Sequence, residues 1–423
     1  MNYTSESLKN GITFHKISTD KFKTNLFAIF LTTKLDRENV TKNALLTAVL
    51  RRGTKNFPTQ EDISKALENM YGASFDCGVD KTGDNHVLKF YLESINNEFL
   101  PSEENLSKQC MEILLDVVFN PYLENGKFKQ EYVEGEKENL RQIIQGKIDN
   151  KSKYAYDRCI EEMYKDEPYG LYKYGYVEDL ENINADDLYN YYLDLIKNVK
   201  VDIFVSGDLK DNDVEELKNN SILNDLNERD AQYNISATNE QKDEIQEPKT
   251  VSESMQITQG KLILGLDVLD NNKDSKYAAS VYNVILGGSA NSKMFQNVRE
   301  KASLAYSAGS SYLRLKDNIF IKCGIDIPNY DKALEIIKDQ LKQMEDGDFT
   351  EEDIQNAKTI IESSVGSIPE SQDSEITYYF SQELSDEFVS IEDYIKKINE
   401  VSKENIKNIA TQIQINTIFF LKD

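Results

Sequence analysis

Apolar and polar positions first alternate along the chain. Gly11-Ile12-Thr13-Phe14-His15-Lys16-Ile17, entered through an Asn10-Gly11 turn, and the β-rich run Thr24-Asn25-Leu26-Phe27-Ala28-Ile29-Phe30-Leu31 predict two strands and an antiparallel start to a sheet. Between Asn39 and Arg51 the period lengthens: Val40, Ala44, Leu45, Ala48 and Val49 share one helical face, which predicts a helix packed on that sheet and stopped by Gly53. Thr59, followed by Glu61 and Asp62, reads as the N-cap of a second helix whose apolar stripe Ile63, Ala66, Leu67, Met70 runs to Tyr71-Gly72. Ala73 to Asp80 and His86 to Leu92 then read as a hairpin around Lys81-Thr82-Gly83-Asp84-Asn85. Helical periods over about 103–119, 128–150, 152–164 and 185–197, and a strand from Lys200 to Asp208, complete an α+β unit near residue 210.

From about Asn234 to Lys249 the chain is polar and aperiodic, with Pro248 near its end, so it reads as a linker. The expected division is a first domain over 1–230, a linker over 231–250 and a second domain over 251–423. Past the linker the same grammar returns. A strand (Lys261 to Leu266), a helix (about 275–286), a Gly287-Gly288 stop, a helix (about 291–302) and a strand pair (Leu304 to Leu313, Asn318 to Ile325) come first. Helices near 331–344, 351–366, 391–397 and 403–411 and a last strand, Asn416 to Leu421, follow. The fold class expected is α+β, built as two homologous units, each an antiparallel or mixed sheet covered by helices.

Composition narrows the function classes. A chain of 423 residues has length for two or three domains, and 39% hydrophobic residues are too many for a disordered polyanion. The net charge of −25 repels phosphate backbones, and no basic stripe with interleaved aromatics offsets it, so no nucleic-acid partner is expected. An acidic surface fits a cytoplasmic protein kept in solution by its charge, or one that meets basic peptides. Cys77, Cys110, Cys159 and Cys323 lie far apart without a C-x-x-C pair, as reduced core thiols do. Neither a signal peptide nor an apolar run long enough to span a membrane is evident.

Arg51-Arg52-Gly53-Thr54-Lys55-Asn56-Phe57-Pro58 in the first unit and Gly287-Gly288-Ser289-Ala290-Asn291-Ser292-Lys293-Met294-Phe295-Gln296-Asn297-Val298-Arg299-Glu300-Lys301-Ala302-Ser303-Leu304-Ala305-Tyr306-Ser307 in the second resemble the insulinase and mitochondrial-processing-peptidase (pitrilysin-like) family. The resemblance covers essentially the whole chain. It implies one half of a clamshell, and in active members a zinc endopeptidase carrying H-x-x-E-H on the helix before the Gly-Thr, with a distal glutamate as third ligand. Two histidines four apart grip one Zn²⁺ from one helix face, and the glutamate between them activates the metal-bound water. Counted back from Gly53-Thr54, those places fall on Ala44-Leu45-Leu46-Thr47-Ala48, and the distal ligand falls on Ile143. No ligand and no base stand at Ala44, Thr47, Ala48 or Ile143. With only His15 and His86 in the chain, neither on that helix, no pair can be rebuilt, and both read as structural or surface histidines. Glu134, Glu136 and Glu138 read as a solvated helix face. No metal and no other cofactor is expected in this chain.

The second unit departs less from the family. Members place an arginine and a tyrosine seven residues apart here, directed at the substrate backbone or the developing oxyanion, and Arg299 and Tyr306 keep both types and the spacing. Residue type alone allows a plainer role, with Arg299 ending its helix or pairing with Glu300 and Tyr306 packing at a strand start. Gly287-Gly288 reads as backbone clearance, since no phosphate-loop motif follows. The resemblance implies a chain inactive alone that acts as the non-catalytic partner of a zinc-bearing paralogue, which would carry the only zinc, supplying Arg299 and Tyr306 to a peptide or unfolded-protein substrate. The alternative is a catalytically inactive peptide-binding or scaffold protein, paired with itself, that receives peptides by β-augmentation. An unrelated enzyme finds no Ser/His/Asp or Cys/His constellation here.

Overall fold

The structure, a computed structural model, describes residues 2–229, 242–270, 272–302, 304–385 and 387–423. These form two units that interleave in sequence. The first holds the described residues within Met1–Gly146, Leu171–Ser236 and Pro369–Leu384, the second those within Lys147–Gly170, Ala237–Ile368 and Ser385–Asp423. A sequential division at 231–250 would instead leave 147–170 in the first domain and 369–384 in the second. Residues 231–241 of the expected linker lie outside the described residues, and its last two residues open the strand Lys249–Ser254.

The first unit is built on a six-stranded sheet in the order Tyr3–Lys9, Ile12–Ser18, Lys200–Gly207, Thr24–Lys34, Asn85–Ile95, Ser74–Thr82. The two strands expected to pair at the start of the chain are therefore not neighbours. Lys200–Gly207 lies between them, parallel to Ile12–Ser18 and antiparallel to Thr24–Lys34. Its Val201, Ile203, Phe204 and Val205 are all buried, and a run apolar on both faces belongs at the centre of a sheet. The hairpin is longer and tighter than the sequence reading: only Gly83 and Asp84 turn it, with Gly83 at φ 56°.

A five-stranded sheet carries the second unit, in the order Ala305–Leu313, Asn318–Ile325, Gly260–Val268, Ile413–Lys422, Lys249–Ser254. The topology matches the first sheet from its hairpin edge inward. In each, a hairpin is followed by the unit's first long strand, then by its last strand, then by a strand parallel to that one. The duplication read from sequence is thus a duplication of topology.

Helices cover both faces of each sheet. In the first, Phe27, Ile29 and Leu31 face the core made with Leu45, Leu46, Leu114 and Leu188, while Leu26, Ala28 and Phe30 point the other way, onto Ile376, Phe380 and Leu384. In the second, Leu262, Leu264 and Leu266 face one core, and Ile263 meets Ala155, Cys159 and Ile160 of the helix Lys151–Met163. Each unit is therefore completed by one helix from the opposite half of the sequence. Gly265 makes the second contact possible, because a Cβ there would stand 2.7 Å from Met163 Sδ. Among the described residues no helix is long and apolar enough to cross a membrane.

Candidate functional site

The helix Val40–Leu50 packs between the first sheet and the helix Gln130–Gln145 and is buried on nearly every side. Its polar residues are satisfied internally. Asn43 Nδ2 donates to His86 Nδ1 at 3.1 Å and to Thr33 Oγ1 at 3.3 Å, and Tyr191 OH donates to Asn43 Oδ1 at 2.7 Å. Burial pushes the His86 imidazole down to about 4, so at neutral pH it is an uncharged hydrogen-bond acceptor inside the unit.

Ala44 and Ala48 carry no donor atom, and Thr47 Oγ1 is spent on its own helix, donating to Asn43 O at 2.9 Å. Ile143 lies on the helix Gln130–Gln145, 47% exposed. Cys77, on the edge strand Ser74–Thr82, donates its thiol to Thr47 O at 3.7 Å, and burial raises that thiol to about 12, far from a thiolate ligand. Zinc does not fit these side chains. Among the described residues, no group of three or more His, Cys, Asp or Glu is placed to hold a metal ion.

One carboxylate here departs from the solvated face read in the sequence. Glu134 and Glu138 are exposed, beside Lys137 and Arg141, but Glu136 is buried. Its Oε1 accepts from Arg52 Nη1 at 3.1 Å and its Oε2 from Asn139 Nδ2 at 3.0 Å, while the Arg52 guanidinium lies 5.2 Å from the Tyr132 ring centre. A signal was present: Glu136 falls on the stripe Val133, Glu136, Leu140, spaced three and four apart. Arg52 is the group that makes the burial tolerable. Arg52→Ala is expected to cost about 2 kcal/mol in chemical denaturation, below the ~3–5 kcal/mol of a fully buried pair because the arginine is partly in water. Adding Glu136→Gln should recover about half; a double variant no more stable than Arg52→Ala would assign the loss to packing on Tyr132 instead.

In the second unit the helix expected over 291–302 is a π-helical turn, Phe295–Lys301, in which Ala302 N donates to Asn297 O five residues back, at 3.3 Å. Arg299 leaves this turn half-exposed, its guanidinium 4.5 Å from the Phe295 ring centre and its Nε 3.6 Å from Glu300 Oε1. The plainer pairing with Glu300 is thus present. Tyr306 does not pack: it is 65% exposed, and its hydroxyl donates to Asp326 Oδ1 at 3.2 Å. It sits at a β-bulge, since Ala305 pairs with Ile325 and Ser307 with Gly324, and the bulge turns the ring out of the ladder of an edge strand. The hydrogen bond to Asp326 raises the Tyr306 phenol above its usual range, so it stays a donor. Gly287 lets the preceding helix end against this strand. Its carbonyl accepts from Ser310 N at 2.9 Å, and a Cβ would stand 2.6 Å from that nitrogen.

Ala44, Thr47, Ala48 and Ile143 lie in the first unit and Arg299 and Tyr306 in the second. The family model for the peptidase M16 inactive domain matches residues 182–361. The chain is 35% identical over 425 residues to a Bacillus subtilis (strain 168) protein named "Probable inactive metalloprotease YmfF", covering 100% of this chain and 99% of that one. Another protein of that strain, "Uncharacterized zinc protease YmxG", is 25% identical over 314 residues, 72% of each chain. Among solved structures, a conserved protein from Enterococcus faecalis V583 superposes with TM-score 0.90 at 27% identity, covering 100% of this chain and 99% of that chain. A peptidase M16 inactive domain from Pseudomonas fluorescens shares the fold, with TM-score 0.77 at 18% identity over 100% of this chain and 98% of its own. The chain belongs to the M16 peptidase family, the insulinase and mitochondrial-processing-peptidase relatives, as a member without ligands at its zinc positions.

Proposed function

We propose that this chain is the non-catalytic subunit of a two-chain metallopeptidase, offering Arg299 and Tyr306 to a peptide held against a zinc-bearing relative. The carrying observation is the exposure of Tyr306 at a bulge on an edge strand, on a chain whose own zinc positions are apolar or internally bonded. A tyrosine with only structural duties would be expected to bury its ring. The existence of a B. subtilis relative named a zinc protease is compatible with such a pairing. The pure chain should leave peptides uncut and bind no stoichiometric zinc. Mixed with an H-x-x-E-H relative from its own cell, it should raise that relative's peptide cleavage at least tenfold. Co-elution without any gain in cleavage would remove the proposal.

A second reading, a peptide-binding or scaffold protein paired with itself, draws on the edge strands. Ser74–Thr82 and Ala305–Leu313 each end a sheet and can pair with an extended segment through backbone hydrogen bonds alone. Homodimers that bind peptide, and are indifferent to a zinc-bearing relative, are the outcome that would favour it.

A further inference from the structure

Within the first unit, a cavity of about 540 Å³ lies between the helix Ala185–Asn198 and the chain that leaves the helix Leu106–Phe119. The helix Ala185–Asn198 buries Leu188, Tyr192 and Leu195 in the core. It also carries a second apolar line, Tyr189, Leu193 and Ile196, spaced four and three apart, half-buried and lining the cavity. A helix with one core to cover would carry polar residues in those places. Phe119, Pro121 and Leu123 line the cavity from the facing segment.

The walls are held in place. Tyr192 OH donates to Val118 O at 3.0 Å, tying the two helices together, and the Tyr189 ring meets Phe128 edge-on at 5.4 Å. An antiparallel bridge joins Thr54 to Pro121, with Lys55 N donating to Asn120 O at 2.8 Å and Tyr122 N to Gly53 O at 2.9 Å. That bridge fixes the exposed Lys55 against the cavity.

Charge selects the occupant. The chain carries 74 acidic and 49 basic side chains, yet no carboxylate lines this cavity and its one charged group is Lys55. Among the described residues, the Lys55 ammonium has no hydrogen-bond or ion-pair partner, and neither does the hydroxyl of Tyr122 or of Tyr189. Asp116, on the helix that ends at Phe119, is buried and accepts from Asn56 Nδ2 and Asn120 Nδ2 instead. A largely apolar and aromatic cavity of this size, with a few unspent polar groups, has the make-up of a small-molecule site. A cationic ligand would meet Lys55 with like charge, whereas an anionic one gives the lysine its missing partner.

We infer that this cavity binds a small carboxylic acid with an apolar body. The body lies against Tyr189, Leu193 and Ile196, and the carboxylate accepts from Lys55 Nζ, with the phenol hydroxyls as further donors. Burial of the apolar body supplies the affinity, and the charged hydrogen bond supplies the choice of an acid over an amine. Arg299 and Tyr306 lie in the other unit, so this site is independent of any zinc-bearing partner.

Isothermal titration of the full chain with decanoate, kept below its micelle concentration, is expected to show one site. Lys55→Gln should weaken binding about tenfold, and Lys55→Arg should stay within about threefold of wild type. The Lys55 side chain bonds to nothing else, so neither variant threatens the fold. Leu193→Trp, which fills the cavity, should abolish binding while circular dichroism stays that of wild type; if it fails to fold, the Lys55 variants decide. Decylammonium should not bind. No uptake of decanoate in the millimolar range overturns the inference, as does equal affinity in Lys55→Gln and wild type. Unchanged binding in a folded Leu193→Trp chain would place the acid elsewhere and overturn it too. So would decylammonium binding as well as decanoate, or a peptide ending in a free leucine carboxylate binding more tightly than either.

Discussion

In an active mixture with a zinc-bearing relative, Arg299→Ala is expected to lower kcat/KM for a peptide by about 10²- to 10³-fold, and Tyr306→Phe by about tenfold or somewhat more. The difference follows from what each side chain can give. A guanidinium offers a charged fork that meets two acceptors at once, whereas a phenol offers one neutral donor. Neither is locked in place. Among the described residues, Arg299 meets Glu300 at 3.6 Å and the Phe295 ring, and Tyr306 donates to Asp326, contacts that both can exchange for a peptide without breaking a core. Truncating exposed groups of this kind should leave the unfolding midpoint within about 0.5 kcal/mol of wild type, which separates lost function from lost fold. If Arg299 meets only the developing oxyanion, kcat falls and KM holds; if it also grips the ground-state backbone, KM rises. Arg299→Lys should rescue poorly, because an ammonium cannot reproduce the fork. An active mixture in which both variants cleave at the wild-type rate would return Arg299 to a pairing with Glu300.

Much of this architecture is legible along the chain, and the failures share a physical origin. Strong periods give their elements nearly to the residue: Thr59, with Asp62, caps the helix Gln60–Asn69, and the helix Ser275–Leu286 ends at Gly287. Sequence period reports which face of an element is apolar, but not which partner covers it. Thus Lys151–Met163 reads as a first-unit helix and packs on the second sheet, while Gln372–Ser385, for which the pattern predicts no element, covers the first. The edge strand Tyr3–Lys9 has a mostly exposed, polar surface and so offers no alternation to detect. At the candidate site, the loss of zinc ligands is plain from identity alone, because alanine has nothing to coordinate with. The ion pair of Arg52 with Glu136 is signalled only by the place of Glu136 on the stripe of Val133 and Leu140, and the ordinary solvation of a helical glutamate outweighs that signal. The exposure of Tyr306 was hidden because a bulge is made by pairing across the sheet, which no local pattern encodes.

Gly53→Ala is expected to destabilise the first unit by about 3 kcal/mol or more. The position is closed by backbone, not by a side chain that could turn aside. A Cβ at Gly53 would stand 2.2 Å from Pro58 O and 2.7 Å from Pro58 C. Neither strand of chain can retreat. Gly53 O accepts from Tyr122 N at 2.9 Å, Thr54 N donates to Phe57 O at 2.7 Å, and the buried Thr54 Oγ1 accepts from Phe57 N at 3.0 Å and Asn56 N at 3.2 Å. Gly78→Ala, on the edge strand with nothing within 4 Å of its Cβ, supplies the control and should stay within about 0.5 kcal/mol. Chemical denaturation followed by circular dichroism compares the two; equal midpoints would mean the Gly53 turn can open. The contrast explains why the chain keeps one half of a motif and not the other. Metal ligands at 44, 48 and 143 and a base at 47 serve only a metal and its water, and the fold here is built without them. Gly53 and Thr54 form the turn just after the helix Val40–Leu50, which packs the first core, and that duty persists whether or not zinc is bound.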